Sequence, residues 1–264
     1  MDIEHLTDVE FEALPLVVEG ESKEVRAAGE GLAVIRFKPT IYSFTANRAG
    51  VIPGSDRLRL RATRILVEVL RAAGIPHAYL QVNDRFVLSR LIEAPPPIEV
   101  VVKAFHTGTS KHRYVGMAGL PIRASHPYYP GFTFGPDEAY PAPIVRFDWR
   151  NPLRHPLTGQ RLADEVLGDD QAAWFIDVDA ARRTALRTFR ALSDFLGARE
   201  VVIYDLCLFV SADGGTVFGE LSQDCGRFRH FDLGSLDKDE WRAGGSSEHV
   251  LKKWELLLEL MTTP

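Results

Sequence analysis

Two short segments near the C-terminal end of the sequence collect acidic and basic side chains at close spacing. The first, residues 219–229, carries Glu220, Asp224 and Arg227, and the second, residues 236–242, carries Lys238 and Arg242. Several charged groups that converge on one ligand bind an anion far more strongly than a single exposed ion pair does. We therefore expect an anionic small-molecule substrate to bind near these segments.

A third segment, residues 99–113, adds basic groups and hydroxyls after a predicted strand. Lys103 stands at the strand end, Gly108 and Thr109 belong to a turn, and Arg113 follows. Successive backbone N–H groups in a turn can form a concave anion-binding nest. A solvated basic loop is the alternative interpretation, and the spacing alone leaves both open.

The composition limits the classes of partner. The chain has 264 residues, of which 45% are hydrophobic, enough to bury a sizeable core. Its 31 basic and 36 acidic residues give a net charge of -5, which argues against a nucleic-acid partner. No apolar run approaches the roughly 20 residues that span a bilayer, and two cysteines are too few for a disulfide framework. We expect a cytoplasmic protein without a membrane partner, and a homo-oligomer stays an open alternative.

A helical period in the first part of the chain predicts one strong helix, with Ser55 as its N-cap and its end at Gly74. Its basic positions face several directions and are interpreted as solvated side chains of an amphipathic helix, with a phosphate-binding role as the alternative. These positions are Arg57, Arg59, Arg61 and Arg64.

Three consecutive prolines, residues 95–97, interrupt the strand-like pattern and cannot continue a ladder. We therefore predict an N-terminal lobe over residues 1–95 and a C-terminal lobe over residues 96–264. The later segment 116–149 is rich in Pro, Gly and Tyr, which predicts a long functional loop.

These segments, together with residues 18–25, resemble the motifs of the SAICAR synthetase family, the ATP-dependent ligases of purine synthesis. The resemblance covers residues 14–242. It implies an α+β fold with two lobes and antiparallel sheets around a central cleft, with the N-terminal lobe on the nucleotide side and the C-terminal lobe on the substrate side. Members activate a carboxylate as an acyl phosphate with ATP, and the amine of aspartate then attacks it to form an amide.

The resemblance assigns the basic residues to the phosphate of a ribotide substrate. The matching substrate-binding positions are Lys103, Gly108, Thr109, Arg113, Arg227, Lys238 and Arg242. On the nucleotide side, Gly20 and Lys23 match the Gly-Lys-x-Lys turn of the family. Glu21 stands where that turn has a lysine, and a carboxylate beside a polyphosphate repels it.

The resemblance also implies Mg²⁺ and catalytic acids on two strands. The Asp-x-Lys-x-Glu pattern of the family falls on Asp205, Cys207 and Phe209. Its Asp-Glu pair falls on Gly219 and Glu220. Asp205 and Glu220 are therefore the remaining candidate metal ligands. The candidate catalytic residues are Asp205, Glu220, Asp224 and Cys207; for Cys207 a small core residue is the alternative to a nucleophile.

Three hypotheses follow from the preserved and missing groups. The first is an ATP-dependent carbon–nitrogen ligase with altered substrates, acting in specialised metabolism. The second is a repurposed family member that no longer uses ATP or Mg²⁺ and performs another reaction, such as a cyclisation or elimination, on an anionic small molecule. The third is a non-catalytic binding protein.

Overall fold

The computed structural model describes residues 1–43, 48–107, 115–133, 135–159 and 162–263. The elements of the first part are α1 (Asp8–Ala13), β1 (Leu16–Glu19), β2 (Lys23–Ala27), β3 (Leu32–Phe37), β4 (Thr40–Ser43), β5 (Arg48–Val51), α2 (Ser55–Ala72), β6 (Tyr79–Val82) and β7 (Phe86–Arg90). Those of the second part are β8 (Ile98–Phe105), β9 (Ala139–Trp149), β10 (Glu165–Leu167), α3 (Asp169–Ala172), α4 (Val178–Gly197), β11 (Val201–Val210), β12 (Val217–Phe218), β13 (Gly226–His230), β14 (Gly234–Ser235), α5 (Asp239–Arg242) and α6 (Ser247–Thr262).

Two antiparallel sheets dominate the fold. The N-terminal sheet has the strand order β1-β2-β3-β7-β6. The C-terminal sheet has the order β10-β9-β8-β11-β13-β14, and β12 pairs with the end of β11. Strands β4 and β5 form a separate two-stranded ribbon. All strand pairs within these sheets are antiparallel, as expected for a chain in which hairpins connect successive strands.

Helix α2 connects the two sheets through the core. Its inner positions Leu58, Leu66 and Leu70 are buried, and the helix packs against α4 and α6. Burying one leucine side chain contributes roughly 1.5–3 kcal/mol, so this face is a substantial part of the stability. A single hydrophobic cluster includes residues of α2 and of both sheets. Gly74 follows the helix with φ +60°, the left-handed conformation that commonly ends helices.

The segment expected to be a long loop ends in a strand, so that prediction is wrong for residues 139–149. Strand β9 is 11 residues long and lies between β8 and β10. The loop was predicted from the Pro, Gly and Tyr content of the segment, to which Pro141 and Pro143 of β9 contribute. They lie between the pair Phe105–Ala139 and the pair Lys103–Ile144, where the register shifts. An irregularity of this kind tolerates proline because the ladder is interrupted there.

The α+β class with antiparallel sheets is confirmed. The N-terminal sheet uses strands from before the three prolines and the C-terminal sheet uses strands from after them. The division into lobes at residue 95 stays a prediction, since α2 belongs by sequence to the first half and packs on helices of the second. Among the residues described, no helix has the length and apolar character needed to cross a membrane.

Candidate active site

Glu220 lies where the two sheets meet, directly after β12, and is buried. Lys23, the first residue of β2, donates a hydrogen bond to Oε2 of Glu220 at 3.2 Å. Ser222 donates its hydroxyl to Oε1 at 2.7 Å. Burial opposes ionisation of this carboxyl, but Arg59 and Lys23 outweigh it and lower the pKa of Glu220 to about 2. Glu220 is therefore a charged group at neutral pH.

Arg59 is fully buried on the inner face of α2, so its interpretation as a solvated residue was wrong. Its Nη2 donates to the backbone carbonyls of Ser22 at 3.1 Å and Lys38 at 2.8 Å. Its Nη1 lies 3.6 Å from Oε1 of Glu220 and 3.8 Å from Oδ2 of Asp224. Arg59 thus connects the first turns of the N-terminal sheet with two carboxylates of the C-terminal half.

Asp224 and Lys238 complete this group. Lys238 donates to Oδ1 of Asp224 at 2.8 Å and to the carbonyl oxygen of Tyr42 at 3.1 Å. We call this group the inter-sheet cluster: Lys23, Arg59, Glu220, Asp224 and Lys238. Three cations and two carboxylates leave it with one net positive charge.

A second group forms on the C-terminal sheet around Asp205. Asp205 on β11 lies opposite Lys103 on β8 and opposite Arg227 on β13. Side chains at one level of adjacent antiparallel strands are direct neighbours. Lys103 lies 3.7 Å from Oδ2 of Asp205, and Arg227 donates to the same oxygen. The strand register alone therefore brings these two cations to one carboxylate.

This second group continues onto α5. Arg227 lies 3.5 Å from Oδ1 of Asp239, and Arg242 donates to that same oxygen. Arg229 pairs with Asp237 at 2.9 Å and also with Asp239. We call the group the arginine–aspartate cluster; its members are Lys103, Asp205, Arg227, Arg229, Asp237, Asp239 and Arg242. Four cations and three carboxylates again leave one net positive charge.

The two carboxyls on the α5 side titrate differently because their surroundings differ. Burial, assisted by neighbouring Asp239, raises the pKa of Asp237 to about 6 despite the nearby arginines. Burial also disfavours ionisation of Asp239, yet Arg242 and Arg229 prevail and lower its pKa to about 2. Burial lowers the pKa of Lys103, against the attraction of Asp205.

Cys207 lies two residues beyond Asp205 on β11 and is half-buried. Burial, with the charges of Glu99 and Asp205, raises the pKa of its thiol well above the usual value. The thiolate is the nucleophilic form, so this environment does not favour covalent catalysis by Cys207. Cys225 is similar, since burial and Glu220 raise its pKa to about 12.

Phe209 occupies the next outward position of β11 and fills space beside the inter-sheet cluster. Its ring lies between Lys23, whose Nζ is 5.4 Å from the ring centroid, and Arg150, whose guanidinium carbon is 4.8 Å away. A Cβ atom added at Gly219 would lie 2.9 Å from Cδ2 of Phe209. Gly219 also has φ +82°, which side chains rarely adopt. The aromatic ring at 209 and the glycine at 219 are therefore complementary.

The candidate metal ligands do not fit a protein-held Mg²⁺. Asp205 and Glu220 belong to different clusters, and each is already paired with two cations. In the part of the chain that the structure describes, no group of three His, Cys, Asp or Glu residues could hold a metal ion. Mg²⁺ needs hard oxygen ligands that are free to coordinate it. The assignment of Asp205 and Glu220 as metal ligands therefore stays a prediction that these contacts do not support, and no step below depends on a metal ion.

On the nucleotide side, Gly20 and Lys23 close the turn between β1 and β2. The N–H of Gly20 donates to the carbonyl of Lys23 at 2.8 Å. Glu21 pairs with Arg154 at 3.1 Å, an exposed contact that partly neutralises the unfavourable carboxylate. Three predicted substrate-binding residues, Gly108, Thr109 and Arg113, lie outside the described residues.

Two surface cavities, of about 630 and 560 Å³, lie elsewhere. One is lined by residues around α3 and the other by residues at the start of α2 and on α6. Neither is lined by a member of the two clusters, so we base the candidate site on the charged residues. Of the predicted cations, Lys103, Arg227 and Arg242 belong to the arginine–aspartate cluster, whereas Lys23 and Lys238 belong to the inter-sheet cluster.

The chain belongs to the SAICAR synthetase family, because its residues 16–255 match the sequence model of that family. This family consists of carbon–nitrogen ligases. The fold is shared as well: a solved structure described as SAICAR synthetase (Type-2) in complex with ADP superposes with a TM-score of 0.72, covering 93% of this chain and 97% of that one, at 21% identity.

Two curated relatives are informative. Bifunctional cordycepin biosynthesis cluster protein 3 of Cordyceps militaris is 28% identical over 93% of this chain, which spans only 32% of the length of that relative. Phosphoribosylaminoimidazole-succinocarboxamide synthase of Sulfurisphaera tokodaii is 25% identical over 90% of this chain and 94% of its own length. The chain is thus similar both to a purine-synthesis ligase and to about a third of a larger protein.

Proposed function

We propose that this protein is an ATP-dependent carbon–nitrogen ligase that binds a phosphorylated, carboxylate-bearing small molecule at the arginine–aspartate cluster. The observation that carries the proposal is the meeting of Lys103 and Arg227 at Asp205, and of Arg227 and Arg242 at Asp239. Three cations distant in sequence thus belong to one connected group. Their match to the phosphate-binding positions of the family supports a ribotide-like ligand.

The cluster can accept an anion because its cations outnumber its carboxylates. Arg227 and Arg242 keep 13% and 15% of their side-chain surface exposed, so a ligand can reach them. An incoming phosphate would replace part of the interaction with Asp239, and a guanidinium can bind phosphate through two parallel hydrogen bonds. Asp205 would meanwhile hold Lys103 and Arg227 at a fixed spacing.

In the proposed reaction, ATP is a substrate and its γ-phosphoryl group is transferred to the substrate carboxylate. This step forms an acyl phosphate and releases ADP. The amine then attacks the acyl carbon, the carbon–oxygen bond to phosphate breaks, inorganic phosphate leaves, and the amine proton passes to solvent. Lys23 would contact the nucleotide, since Glu220 uses only one of its three N–H donors. Fixed cations near the transferring group stabilise the charge that develops there.

The Cordyceps relative supports a role in specialised metabolism, because its name refers to a cordycepin biosynthesis cluster. We propose that the ligase acts in the cytoplasm on a small molecule, without a nucleic-acid or membrane partner. The amine donor is an amino acid by analogy with the family.

A direct test is to incubate the protein with Mg-ATP, a ribotide carboxylate and a panel of amino acids, and to measure ADP release and amide formation by mass spectrometry. We expect ADP release only when the carboxylate is present. Unfolded protein and a reaction without carboxylate are the controls. Binding of the ribotide without ADP release or any other product would contradict the ligase proposal and would favour a binding protein.

The second candidate is a family member that has lost ATP and Mg²⁺ use and catalyses a cyclisation or elimination. The specific observation that favours it is the replacement of family acids and a lysine by Gly219, Cys207 and Phe209, with Phe209 occupying the space that a side chain at 219 would need. This candidate predicts conversion of the ribotide carboxylate at equal rate with and without ATP. Equal conversion would therefore replace the first proposal by the second.

A further inference from the structure

The centre of the inter-sheet cluster holds a guanidinium between two carboxylates. Nη1 of Arg59 lies 3.6 Å from Glu220 and 3.8 Å from Asp224, which are distances of electrostatic contact rather than of hydrogen bonds. Neither Nη1 nor Nε of Arg59 has a hydrogen-bond partner among the described residues, while Nη2 is anchored to two carbonyls. The positive charge is thus held in place from the N-terminal side, and the carboxylates approach it from the other side.

We propose that Arg59 is a fixed cation that takes the place of a divalent metal ion between Glu220 and Asp224. Glu220 is buried and Asp224 keeps 14% of its side-chain surface exposed, so the pair needs positive charge nearby, which either a metal ion or a basic side chain can supply. Here the side chain belongs to the fold itself. The proposal goes beyond the reaction assigned above, because it holds whether or not the protein is a ligase.

Electrostatics around the pair supports this assignment. Lys23 contacts Glu220, and Lys238 contacts Asp224, so each carboxylate has its own lysine in addition to the shared Arg59. With one net positive charge, the cluster repels a free divalent cation and attracts an anion. A metal ion would have to displace cations that the backbone holds, since Lys238 and Arg59 also donate to carbonyl oxygens.

The ring of Phe209 also leaves no space for a further carboxylate side chain at position 219. Lys23 lies over the ring of Phe209 as well as against Glu220, so Phe209 borders the cluster directly. An acidic side chain at position 219 would begin 2.9 Å from that ring and would require a strained backbone. Position 219 therefore cannot supply a third carboxylate for a metal ion unless Phe209 is also replaced.

The test is titration of the protein with Mn²⁺ followed by electron paramagnetic resonance, without nucleotide or substrate. We expect no stoichiometric Mn²⁺ binding by the wild type at millimolar metal. Arg59→Met removes the fixed charge but keeps an unbranched side chain, and we expect it to bind Mn²⁺ at least about tenfold more tightly. Arg59→Lys keeps the charge and should behave like the wild type. Arg61→Met, an exposed position on the same helix, is the matched control.

A Mn²⁺ site in the wild type that is lost in Glu220→Gln would overturn the proposal, and so would an unchanged Mn²⁺ affinity in folded Arg59→Met. If Arg59→Met does not fold, Arg59→Gln replaces it, and an unchanged Mn²⁺ affinity in that folded variant would equally overturn the proposal. Because no nucleotide is present, failure of this inference is separate from failure of the ligase proposal, which is judged by ADP release.

Discussion

At the scale of single residues, the site is defined by which charges are paired with which. Arg227 is the clearest case, because it contacts Asp205 and Asp239 and so connects the two halves of the arginine–aspartate cluster. Burial tends to lower its pKa, but those carboxylates raise it, so the guanidinium stays charged at every accessible pH. The strand register places Arg227 on β13 opposite Asp205, with Lys103 of β8 on the other side of Asp205.

Replacing Arg227 by alanine should weaken the binding of a phosphorylated ligand. We expect a loss of about 1.5–3 kcal/mol, the range for a hydrogen bond to a charged group, measured by isothermal titration with ribose 5-phosphate. Arg183→Ala, an exposed arginine of α4, is the control and should leave affinity unchanged. Equal affinities of wild type and Arg227→Ala would contradict the assignment of phosphate binding to this cluster.

At the scale of elements, strand β11 determines much of the site. It carries Asp205, Cys207 and Phe209 at alternate positions, which therefore lie on one face of the sheet. Strand β12 pairs with the end of β11 and is followed by Gly219, whose missing side chain accommodates the ring of Phe209. Of the Asp-x-Lys-x-Glu pattern expected from the resemblance, this face therefore keeps only Asp205, and it has a thiol and an aromatic ring at the other two positions.

Adding a methyl group at Gly219 should destabilise the fold. Gly219→Ala combines backbone strain with contact against Phe209, and we expect a loss of about 1–3 kcal/mol in thermal or denaturant unfolding. Gly234→Ala is the matched control, since Gly234 has φ +68° but open space around its Cβ position. It measures the backbone strain alone.

The steric part of the destabilisation by Gly219→Ala should be relieved when the ring of Phe209 is removed. In the double variant Gly219→Ala with Phe209→Ala, the two losses should be less than additive, because the second change removes the clash of the first. Strict additivity would mean that Phe209 and position 219 do not interact, contrary to the packing described above.

Sequence reasoning predicted the antiparallel α+β fold, the long helix α2 and the gathering of Lys103, Arg227 and Arg242. The N-cap of that helix is Gly54, and Ser55, predicted as the cap, is the first helical residue. Sequence reasoning missed Arg59, because an arginine among leucines on an amphipathic helix is normally solvated. The signal was the series Ser55, Arg59 and Thr63, whose spacing of four places all three on one face. It also missed β9, because proline usually excludes a strand and only the register reveals the irregularity that tolerates it.

At the scale of the whole molecule, the inter-sheet cluster is the polar counterpart of the shared hydrophobic core. Lys23 and Arg59 come from the N-terminal half, whereas Glu220 and Asp224 come from the C-terminal half. Breaking a buried ion pair by removing one partner typically costs about 3–5 kcal/mol, because the other charge stays buried and uncompensated. The contact between the two halves therefore depends on ionisation of a few carboxylates.

This dependence predicts a specific acid sensitivity. The pKa of Glu220 is lowered from 4.5 to about 2 in the folded protein. Its ionised form therefore stabilises the fold above pH 4.5, and the contribution, roughly 3 kcal/mol, is lost as the pH falls towards 2. Asp237 acts in the opposite direction, since its pKa is raised to about 6.

The measurement compares urea unfolding of wild type and Glu220→Gln between pH 2 and 7. The variant should be less stable at neutral pH and should lose less stability on acidification through the range 4.5 to 2. The contribution of Asp237 is common to both proteins and cancels in the difference. Glu21→Gln, which alters an exposed ion pair, is the control and should titrate like the wild type. Parallel curves for all three proteins would contradict the role given to Glu220.

The row formed by Lys103, Asp205 and Arg227 has a consequence for how the protein can evolve. These residues lie at one level of three neighbouring strands, so the spacing of about 4.8 Å between adjacent strands sets the distances between the charges. Mutations in the surface loops leave this spacing of the charges unchanged. In the function proposed above, such a scaffold would keep its contacts with the anionic end of the substrate while loop substitutions change the contacts with the rest of the molecule.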